Sequence, residues 1–189
     1  MSIGPDYLMD KSKQVKLKEL ISSEKIRNRV SELAREIIRD FQGDELIVIG
    51  LLTGSFVFLA DLIREFHRSR LSLNIDFLTV SSYGSKMHSS NEVRINHDIH
   101  IDITGKPILL VDDILDTGLT LQAVTRHLMQ KEPKKIKTCV ILEKLKNREI
   151  SFQADYTGFQ IPDTFVVGYG LDYDHRFREL PYLAEVSFQ

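Results

Sequence analysis

Hydrophobic residues recur at helical spacing near the start of the chain. The first set consists of Ile26, Val30, Leu33 and Ile37. Ser22 or Ser23 can cap the start of this helix, and Gly43 lies just beyond its end. The pattern predicts an amphipathic helix over roughly residues 23–41, with its apolar face against a sheet.

A strand, a tight loop and a second helix are predicted next. The run Leu46–Ile49 is short, rich in β-branched residues and followed by Gly50, which is typical of a buried strand. Beyond Gly54 and Ser55 the apolar residues return to helical spacing. They are Val57, Leu59, Leu62, Ile63 and Phe66.

Three further strands and one more helix are predicted beyond these elements. Alternating apolar and polar residues predict a half-buried strand over 71–77, and mainly apolar runs predict buried strands over 108–111 and 138–142. Between the last two strands, helical spacing predicts a helix that ends near Pro133. The polar stretch from Ser81 to Asn96 is predicted to be a mobile loop.

Strands that alternate with helices predict an α/β fold with a mainly parallel, doubly wound sheet. Ligands bind at the carboxyl ends of the strands in such sheets, which here means after residues 52, 111 and 142. The last part of the chain, from about residue 145, is less regular and is expected to form a small lobe over that edge. The length of 189 residues fits a single domain.

Composition and charge narrow the classes of function and the expected location. Twenty-five Lys and Arg residues against 27 Asp and Glu residues give a net charge of −2, so no global positive field favours nucleic acid or an anionic membrane. The longest uncharged stretch, Leu46–Ala60, is shorter than the ~20 apolar residues that a membrane helix needs. The single cysteine, Cys139, excludes an intramolecular disulfide and a Cys-rich zinc site, and the cytoplasm is the expected location.

The most informative stretch runs from Val111 to Thr120 and reads VDDILDTGLT. It brings three carboxylates and a Thr-Gly-x-Thr turn to a helix start, where backbone N–H groups and the helix dipole favour a phosphate. Asp112 and Asp113 can bind ribose hydroxyls or hold water around Mg²⁺, and Asp116 remains for proton transfer. In one alternative interpretation, these carboxylates merely cap the helix or face solvent. A phosphoaspartate receiver is another alternative, although it does not need the Thr-Gly-x-Thr turn.

This stretch resembles the phosphoribosyl pyrophosphate motif of the type I phosphoribosyltransferases. Other segments resemble the hypoxanthine-guanine phosphoribosyltransferases, in order and over roughly residues 20–187. They are Leu51–Phe56, Ser81–Gly84, Glu143–Lys144, and Ile161–Tyr173 continuing to Arg178. The resemblance implies the type I phosphoribosyltransferase fold, with a flexible lid loop and a hood lobe. The hood lobe would be formed mainly by residues from about 145 to 189 plus the N-terminal segment.

The resemblance also implies an enzyme of purine salvage. Such an enzyme transfers the 5-phosphoribosyl group from phosphoribosyl pyrophosphate to hypoxanthine or guanine, giving IMP or GMP and pyrophosphate. The implied cofactor is Mg²⁺, and the implied assembly is a homodimer or homotetramer. Neither nucleic acid nor a membrane is expected as a partner.

The phosphoribosyl pyrophosphate motif carries the first set of implied roles. Asp116 lies beside the purine as the general acid/base, while Asp112 and Asp113 meet the ribose hydroxyls, directly or through metal-bound water. The implied 5′-phosphate loop consists of Asp116, Thr117, Gly118, Leu119 and Thr120.

Other matching positions have implied contacts with the base and with pyrophosphate. Lys144 would donate to the exocyclic 6-oxygen, a contact that selects oxopurines over adenine, whose amino group is itself a donor. Phe165 would stack on the purine, and Val166 would contact it through the backbone. Asp172 would bind a second Mg²⁺ near the 2-position, and Arg178 would contact pyrophosphate.

Two loops complete the implied site. Leu52, Thr53 and Gly54 match the pyrophosphate loop, in which a non-proline cis peptide is expected between Leu52 and Thr53. Many relatives carry Lys where this chain has Thr53; backbone amides can bind pyrophosphate without that side chain, but the lysine's subunit-bridging role is in doubt here. Ser82 and Tyr83 match the start of the lid, which would exclude water from the reaction. An ordinary surface loop is the alternative.

Two other functions are open from the sequence. A ligand-sensing regulator with this fold would bind nucleic acid, but the chain has no appended helix-turn-helix and no net positive charge, and it retains Asp116, Lys144 and Arg178. A xanthine-preferring transferase is also open, because contacts at the 2-position depend on backbone placement near Asp172 and on the lid.

Overall fold

The computed structural model describes residues 15–69, 71–82, 93–144, 146 and 149–188. Helices lie at α1 (Ser23–Asp40), α2 (Phe56–Glu65) and α3 (Leu119–Met129), with a short 3-10 helix at Phe66–Arg68. Strands lie at β1 (Val15–Ile21), β2 (Glu45–Leu52), β3 (Ser72–Ser82), β4 (Val93–His97), β5 (Pro107–Leu115), β6 (Lys135–Lys144), β7 (Tyr156–Ile161), β8 (Val166–Val167) and β9 (Leu183–Phe188). Within these ranges, no helix combines the length and the apolar composition that crossing a membrane requires.

The main sheet has six strands in the order β4-β3-β2-β5-β6-β7. Neighbouring strands are parallel except for β3 and β4, which pair antiparallel. This arrangement confirms the predicted α/β fold with a mainly parallel sheet.

Helices cover both faces of this sheet because side chains alternate along each strand. Leu46 and Val48 of β2 pack in one core with α1 and α2. Ile47 and Ile49 point the other way and pack in a second core with α3. The sheet is therefore doubly wound, and the three predicted helices lie where their apolar spacing places them. In α1, the Ser22 hydroxyl caps the start as predicted, since it accepts from the Lys25 N–H at 3.4 Å.

A second, three-stranded sheet has the order β1-β9-β8, with antiparallel pairs. Its small core contains Val167, Phe177 and Leu180 together with residues of β9. Strand β1 pairs with β9 and is not among the strands predicted from the sequence, although Val15 and Leu17 alternate with Lys16 and Lys18. The segment after residue 145 divides between the sheets, because β7 belongs to the main sheet and β8 and β9 to the smaller one.

The prediction of a loop from Ser81 to Asn96 is wrong at both ends. Ser81 and Ser82 belong to β3, and strand β4 from Val93 to His97 pairs with it. Residues 83–92 lie outside the described part of the chain. Val93 and Ile95 alternate with Arg94 and Asn96 and are partly buried in this edge strand, so a short alternation at the end of the polar stretch is the signal that could have indicated β4.

The strands also extend further than their apolar runs. Strand β5 continues to Leu115, so Asp112 and Asp113 lie within the strand rather than after it. Strand β6 likewise continues to Lys144. Main-chain pairing, such as Ile114 with Leu142, carries both strands beyond the last apolar run.

Strands β2 and β5 are adjacent, but their connections leave in opposite directions. The chain crosses from β2 through α2 to β3, and from β5 through α3 to β6 on the other face. This reversal opens a crevice at the carboxyl ends of β2 and β5, where ligands bind in doubly wound sheets.

Candidate active site

A cavity of ≈ 260 Å³ occupies the crevice between β2 and β5. Leu52 and Gly54 line it from the β2 side, and the end of β5 with the following turn lines the other side. Lining residues from that second side include Asp112, Asp113, Asp116, Thr117, Gly118 and Thr120. The structure thus brings the predicted pyrophosphate loop and the predicted phosphate turn to one cavity.

The turn after β5 ends in the amino terminus of α3. Gly118 is the N-cap residue with φ of +91°, a left-handed conformation that glycine adopts without steric cost. A Cβ at this position would lie 3.0 Å from Ile150 Cγ1 and 3.2 Å from the Phe152 Cβ. The Glu149 N–H donates to the Thr117 carbonyl at 3.2 Å. The turn is therefore held from behind, and the first amides of α3 lie beside the cavity, where an anion is favoured.

Asp112 and Asp113 are adjacent carboxylates at the end of β5. The Asp113 N–H donates to Asp112 Oδ1 at 2.9 Å, and the Ile114 N–H donates to Asp113 Oδ1 at 2.8 Å. Burial raises the pKa of both carboxyls, and the charge of Asp113 raises that of Asp112 further. The positive charge of Arg178 acts in the opposite direction on the Asp113 pKa. Hydroxyl donors or a hard cation would compensate such buried charge.

Asp116 and Lys144 approach each other from neighbouring strands. Asp116 follows β5 and Lys144 ends β6, with Lys144 Nζ 3.5 Å from Asp116 Oδ2. The same ammonium lies 3.6 Å from Asp163 Oδ1, and the Lys144 side chain is only 11% exposed. Asp163 is not among the site residues predicted from the sequence, although it lies in a motif that carries the resemblance. The site therefore holds one cation between two carboxylates.

The loop after β2 is pressed against β5. The Leu52–Thr53 peptide is cis, as the resemblance implies. Gly54 lies so close to Asp113 that a Cβ would be 1.6 Å from Asp113 Oδ2. On its other side, a Cβ on Gly170 would be 2.2 Å from the Gly54 carbonyl oxygen. Only residues without side chains fit at both contacts.

An aromatic pair lies at the start of β8. Phe165 is 47% exposed, and its ring meets that of Tyr173 edge-to-face at a centroid distance of 5.7 Å. The face of an exposed ring held in this way is suited to stacking on a flat ligand. Val166 is buried in β8 and paired with Glu185 of β9.

Asp172 and Arg178 form an ion pair with each other. Arg178 Nη2 lies 2.8 Å from Asp172 Oδ1, and the His175 N–H donates to Asp172 Oδ2 at 2.8 Å. Arg178 Nη1 also donates to the Gly170 carbonyl at 2.6 Å. The residues predicted to contact metal and pyrophosphate are thus joined to each other near Gly54.

Two predicted residues lie at the margin of the described structure. Ser82 ends β3, and Tyr83 lies outside the described residues. The lid assignment for this pair therefore stays a prediction.

Comparisons with known proteins agree with this architecture. A family model for the phosphoribosyl transferase domain matches residues 17–174. The chain is 49% identical to a hypoxanthine-guanine phosphoribosyltransferase of Aquifex aeolicus over 90% of this chain and 96% of the relative. It is 44% identical to a hypoxanthine phosphoribosyltransferase of Escherichia coli over 88% of this chain and 93% of the relative.

Solved structures give the same result. A hypoxanthine-guanine phosphoribosyltransferase of Bacillus anthracis superposes with a TM-score of 0.84 at 44% identity, covering 92% of this chain and 99% of that one. Identity at this level over nearly the whole chain exceeds what a shared fold alone produces. The chain therefore belongs to the phosphoribosyltransferase family and, within it, to the hypoxanthine-guanine phosphoribosyltransferases.

Proposed function

We propose that the protein transfers the 5-phosphoribosyl group of phosphoribosyl pyrophosphate to hypoxanthine or guanine, giving IMP or GMP and pyrophosphate. One observation carries the proposal: the Asp116 and Lys144 side chains lie 3.5 Å apart, next to the cavity that the phosphate turn lines at the start of α3. A base-binding pair next to an anion site is the arrangement that joining a purine to a phosphorylated sugar requires.

In this reaction a ring nitrogen of the base replaces pyrophosphate at the anomeric carbon. Asp116 would accept the proton that the nitrogen loses, as a general base within reach of the bound ring. Lys144 would donate to the 6-oxygen, and its low exposure of 11% limits competition from water for that contact. The exposed face of Phe165 would stack on the purine and align its nitrogen for attack.

The sugar phosphate would lie across the crevice. Amides of Gly118 to Thr120 and the Thr117 and Thr120 hydroxyls would hold the 5′-phosphate at the start of α3. The ribose hydroxyls would donate to Asp112 and Asp113. The amides of the Leu52–Gly54 loop and the guanidinium of Arg178 would contact pyrophosphate.

The carboxylates at the end of β5 fit Mg²⁺ as a cofactor. Asp112 and Asp113 supply hard oxygen ligands, and burial raises their pKa because it removes the charged carboxylates from water. In the described ranges no group of three or more His, Cys, Asp or Glu side chains is placed to hold a metal. This suits Mg²⁺, which commonly takes one or two carboxylates together with substrate oxygens and water. The chemistry supplied by bound Mg²⁺ is stabilisation of negative charge on the departing pyrophosphate.

Asp172 is the weaker of the proposed metal contacts. Its carboxylate is already bound to Arg178 and to the His175 N–H. A second Mg²⁺ at Asp172 would share this carboxylate with the guanidinium. The cytoplasmic location, which rests on the single cysteine, and the homo-oligomeric assembly, which rests on the family resemblance, belong to the same proposal.

A spectrophotometric assay with phosphoribosyl pyrophosphate and Mg²⁺ tests the proposal. Hypoxanthine, guanine, xanthine and adenine are compared, with a metal-free control. We expect metal-dependent turnover of hypoxanthine or guanine and none of adenine, whose amino group cannot accept from Lys144. Turnover confined to xanthine would contradict the proposed specificity. Binding of phosphoribosyl pyrophosphate without turnover of any base would favour the regulator.

A further inference from the structure

A partly buried hydrogen bond joins the segment before Arg178 to helix α2. The hydroxyl of Tyr169 donates to Asp61 Oδ2 at 2.7 Å, although the two residues are 108 positions apart. Tyr169 is buried, and Asp61 lies in the middle of α2. Asp61 also pairs with Arg64 on the same helix. The bond therefore ties a turn of the carboxyl-terminal segment to the helix that follows the Leu52–Gly54 loop.

The backbone around Tyr169 is folded tightly. Tyr169 has φ of +49° and stands between Gly168 and Gly170, with φ of +96° and +102°. The Tyr169 N–H donates to the Leu180 carbonyl at 2.8 Å. This turn, residues 168–171, thus directs the Tyr169 side chain towards α2, while the Tyr169 main chain binds the segment that contains Leu180.

The main chain of the same turn carries Arg178. The Gly170 N–H donates to the Arg178 carbonyl at 3.1 Å, and Arg178 Nη1 donates back to the Gly170 carbonyl at 2.6 Å. Any shift of the turn would therefore move both ends of Arg178.

The turn also rests on the loop after β2. Gly170 lies against the Gly54 carbonyl, and Gly54 lies against the Asp113 carboxylate. The Ser55 hydroxyl, which is fully buried, donates to the Leu51 carbonyl at 2.5 Å and holds the loop from within. Turn 168–171 therefore contacts both the Leu52–Gly54 loop, through the Gly54 carbonyl, and Arg178. The amides of that loop and the Arg178 guanidinium are the groups proposed for pyrophosphate, and they come from distant parts of the chain.

We propose that Tyr169 and Asp61 are a positioning pair for pyrophosphate. Their bond seats turn 168–171 on the Leu52–Gly54 loop and so sets the spacing between the loop amides and the Arg178 guanidinium. This inference rests on the proposed function, because it assigns pyrophosphate to these two groups. Burial and the Asp61 carboxylate raise the Tyr169 pKa, so the hydroxyl stays a donor at neutral pH.

The chain contains a matched bond far from the cavity. The Tyr156 hydroxyl donates to Asp40 Oδ2 at 2.8 Å, between β7 and the end of α1. Both tyrosines are buried, and both bind an aspartate on a helix. Tyr156→Phe therefore removes an equivalent bond without touching the turn, and it separates positioning from a general loss of stability.

The test compares wild type, Tyr169→Phe and Tyr156→Phe. Calorimetry gives the Kd for pyrophosphate and for phosphoribosyl pyrophosphate, and kinetics give the KM for each substrate. We expect Tyr169→Phe to raise both Kd values and the KM for phosphoribosyl pyrophosphate by about 5- to 10-fold, which is within the net contribution of a single hydrogen bond. The KM for the base should stay within about twofold. Tyr156→Phe should lower Tm similarly and leave the Kd and KM values unchanged.

Two Asp61 variants complete the test. Asp61→Asn keeps an acceptor oxygen for the Tyr169 hydroxyl and should retain most of the wild-type affinity for pyrophosphate. Asp61→Ala removes the acceptor and should reproduce the effect of Tyr169→Phe. The double variant of Tyr169→Phe with Asp61→Ala should bind pyrophosphate with the same Kd as either single variant, because both substitutions remove the same bond.

Several results would overturn the inference. Unchanged Kd values in Tyr169→Phe, or an equal rise in both KM values, would leave the bond a merely structural one. So would the same loss of affinity in Tyr156→Phe. If wild type binds pyrophosphate but turns over no base, the proposed function fails and the Kd comparison still decides the role of Tyr169. If wild type binds neither phosphate ligand, both proposals fail.

Discussion

The Lys144 ammonium lies between two carboxylates, and the positions of these carboxylates indicate which of them can accept a proton from a bound base. Asp116 and Asp163 lie 3.5 and 3.6 Å from the ammonium. Asp116 begins the phosphate turn and lines the cavity, whereas Asp163 follows β7 and is absent from the lining of that cavity. Equal distance to the cation with unequal access to the cavity favours Asp116 as the proton acceptor.

Replacing Asp116 by Asn tests this assignment. We expect kcat to fall by about 100-fold or more, because an amide cannot accept the proton, while the Kd for phosphoribosyl pyrophosphate stays measurable. Asp163→Asn removes the same charge at nearly the same distance from Lys144 and should lower kcat by less than about fivefold. Steady-state kinetics and calorimetry on both variants check the prediction. Equal losses in the two variants would show that charge near Lys144 matters rather than proton transfer by Asp116.

At the scale of elements, the start of α3 depends on a residue outside the helix. Gly118 adopts a left-handed conformation, and its Cα faces Ile150 and Phe152. This packing keeps the turn in place while the amides of α3 lie beside the cavity. The proposed phosphate site is therefore built by three elements: β5, α3 and the segment before β7.

Gly118→Ala should disturb this site in two ways. The added Cβ forces a left-handed alanine and contacts Ile150 at 3.0 Å. We expect a stability loss of about 1–2 kcal/mol and a higher KM for phosphoribosyl pyrophosphate. Gly105→Ala is the control, because Gly105 has φ of +68° with nothing within 4 Å of an added Cβ. It should show the backbone cost alone, with KM unchanged; a similar KM rise in both variants would contradict the role of the 150–152 contact. Thermal unfolding and kinetics give the two readouts.

Elements with a strong apolar period are predictable from the sequence, whereas a short, half-buried strand at the edge of the sheet is harder to recognise. The helix α1 and the core of β5 follow from periodicity because their burial is nearly complete on one face or on both. Strand β4 is missed because its alternation of apolar and polar residues is short, lies at the end of a long polar stretch, and leaves only Val93 and Ile95 partly buried. The resemblance indicates Asp116 and Lys144 as site residues. Their side chains are 28 positions apart in the chain, and their 3.5 Å approach depends on the pairing of β5 with β6. The contact of Tyr169 with Asp61 has no signal in the sequence.

At the scale of the whole molecule, polar clusters occupy both ends of the main sheet. The carboxyl ends carry the candidate site. At the amino ends, Asp40 at the end of α1 binds the Tyr156 hydroxyl and the Lys137 ammonium. The second cluster joins α1 to β6 and β7 and lines no part of the cavity. Stability and activity are therefore open to separate change by substitution.

Asp40→Asn should lower stability in a manner that depends on pH. Hydrogen bonds from Tyr156 and Lys137 lower the pKa of Asp40 in the folded state. The ionised carboxylate therefore stabilises the fold above its unfolded pKa of about 3.9, and that contribution disappears as pH falls through the lower, folded pKa. At pH 7 we expect a Tm lower by ~2–4 °C, since a partly exposed charged bond contributes about 1 kcal/mol. The difference from wild type should narrow below about pH 4. Calorimetry from pH 7 to pH 3 measures this, with Asp174→Asn, an exposed carboxylate outside the cluster, as control. A constant difference across this range would show that Asp40 acts through packing instead of charge.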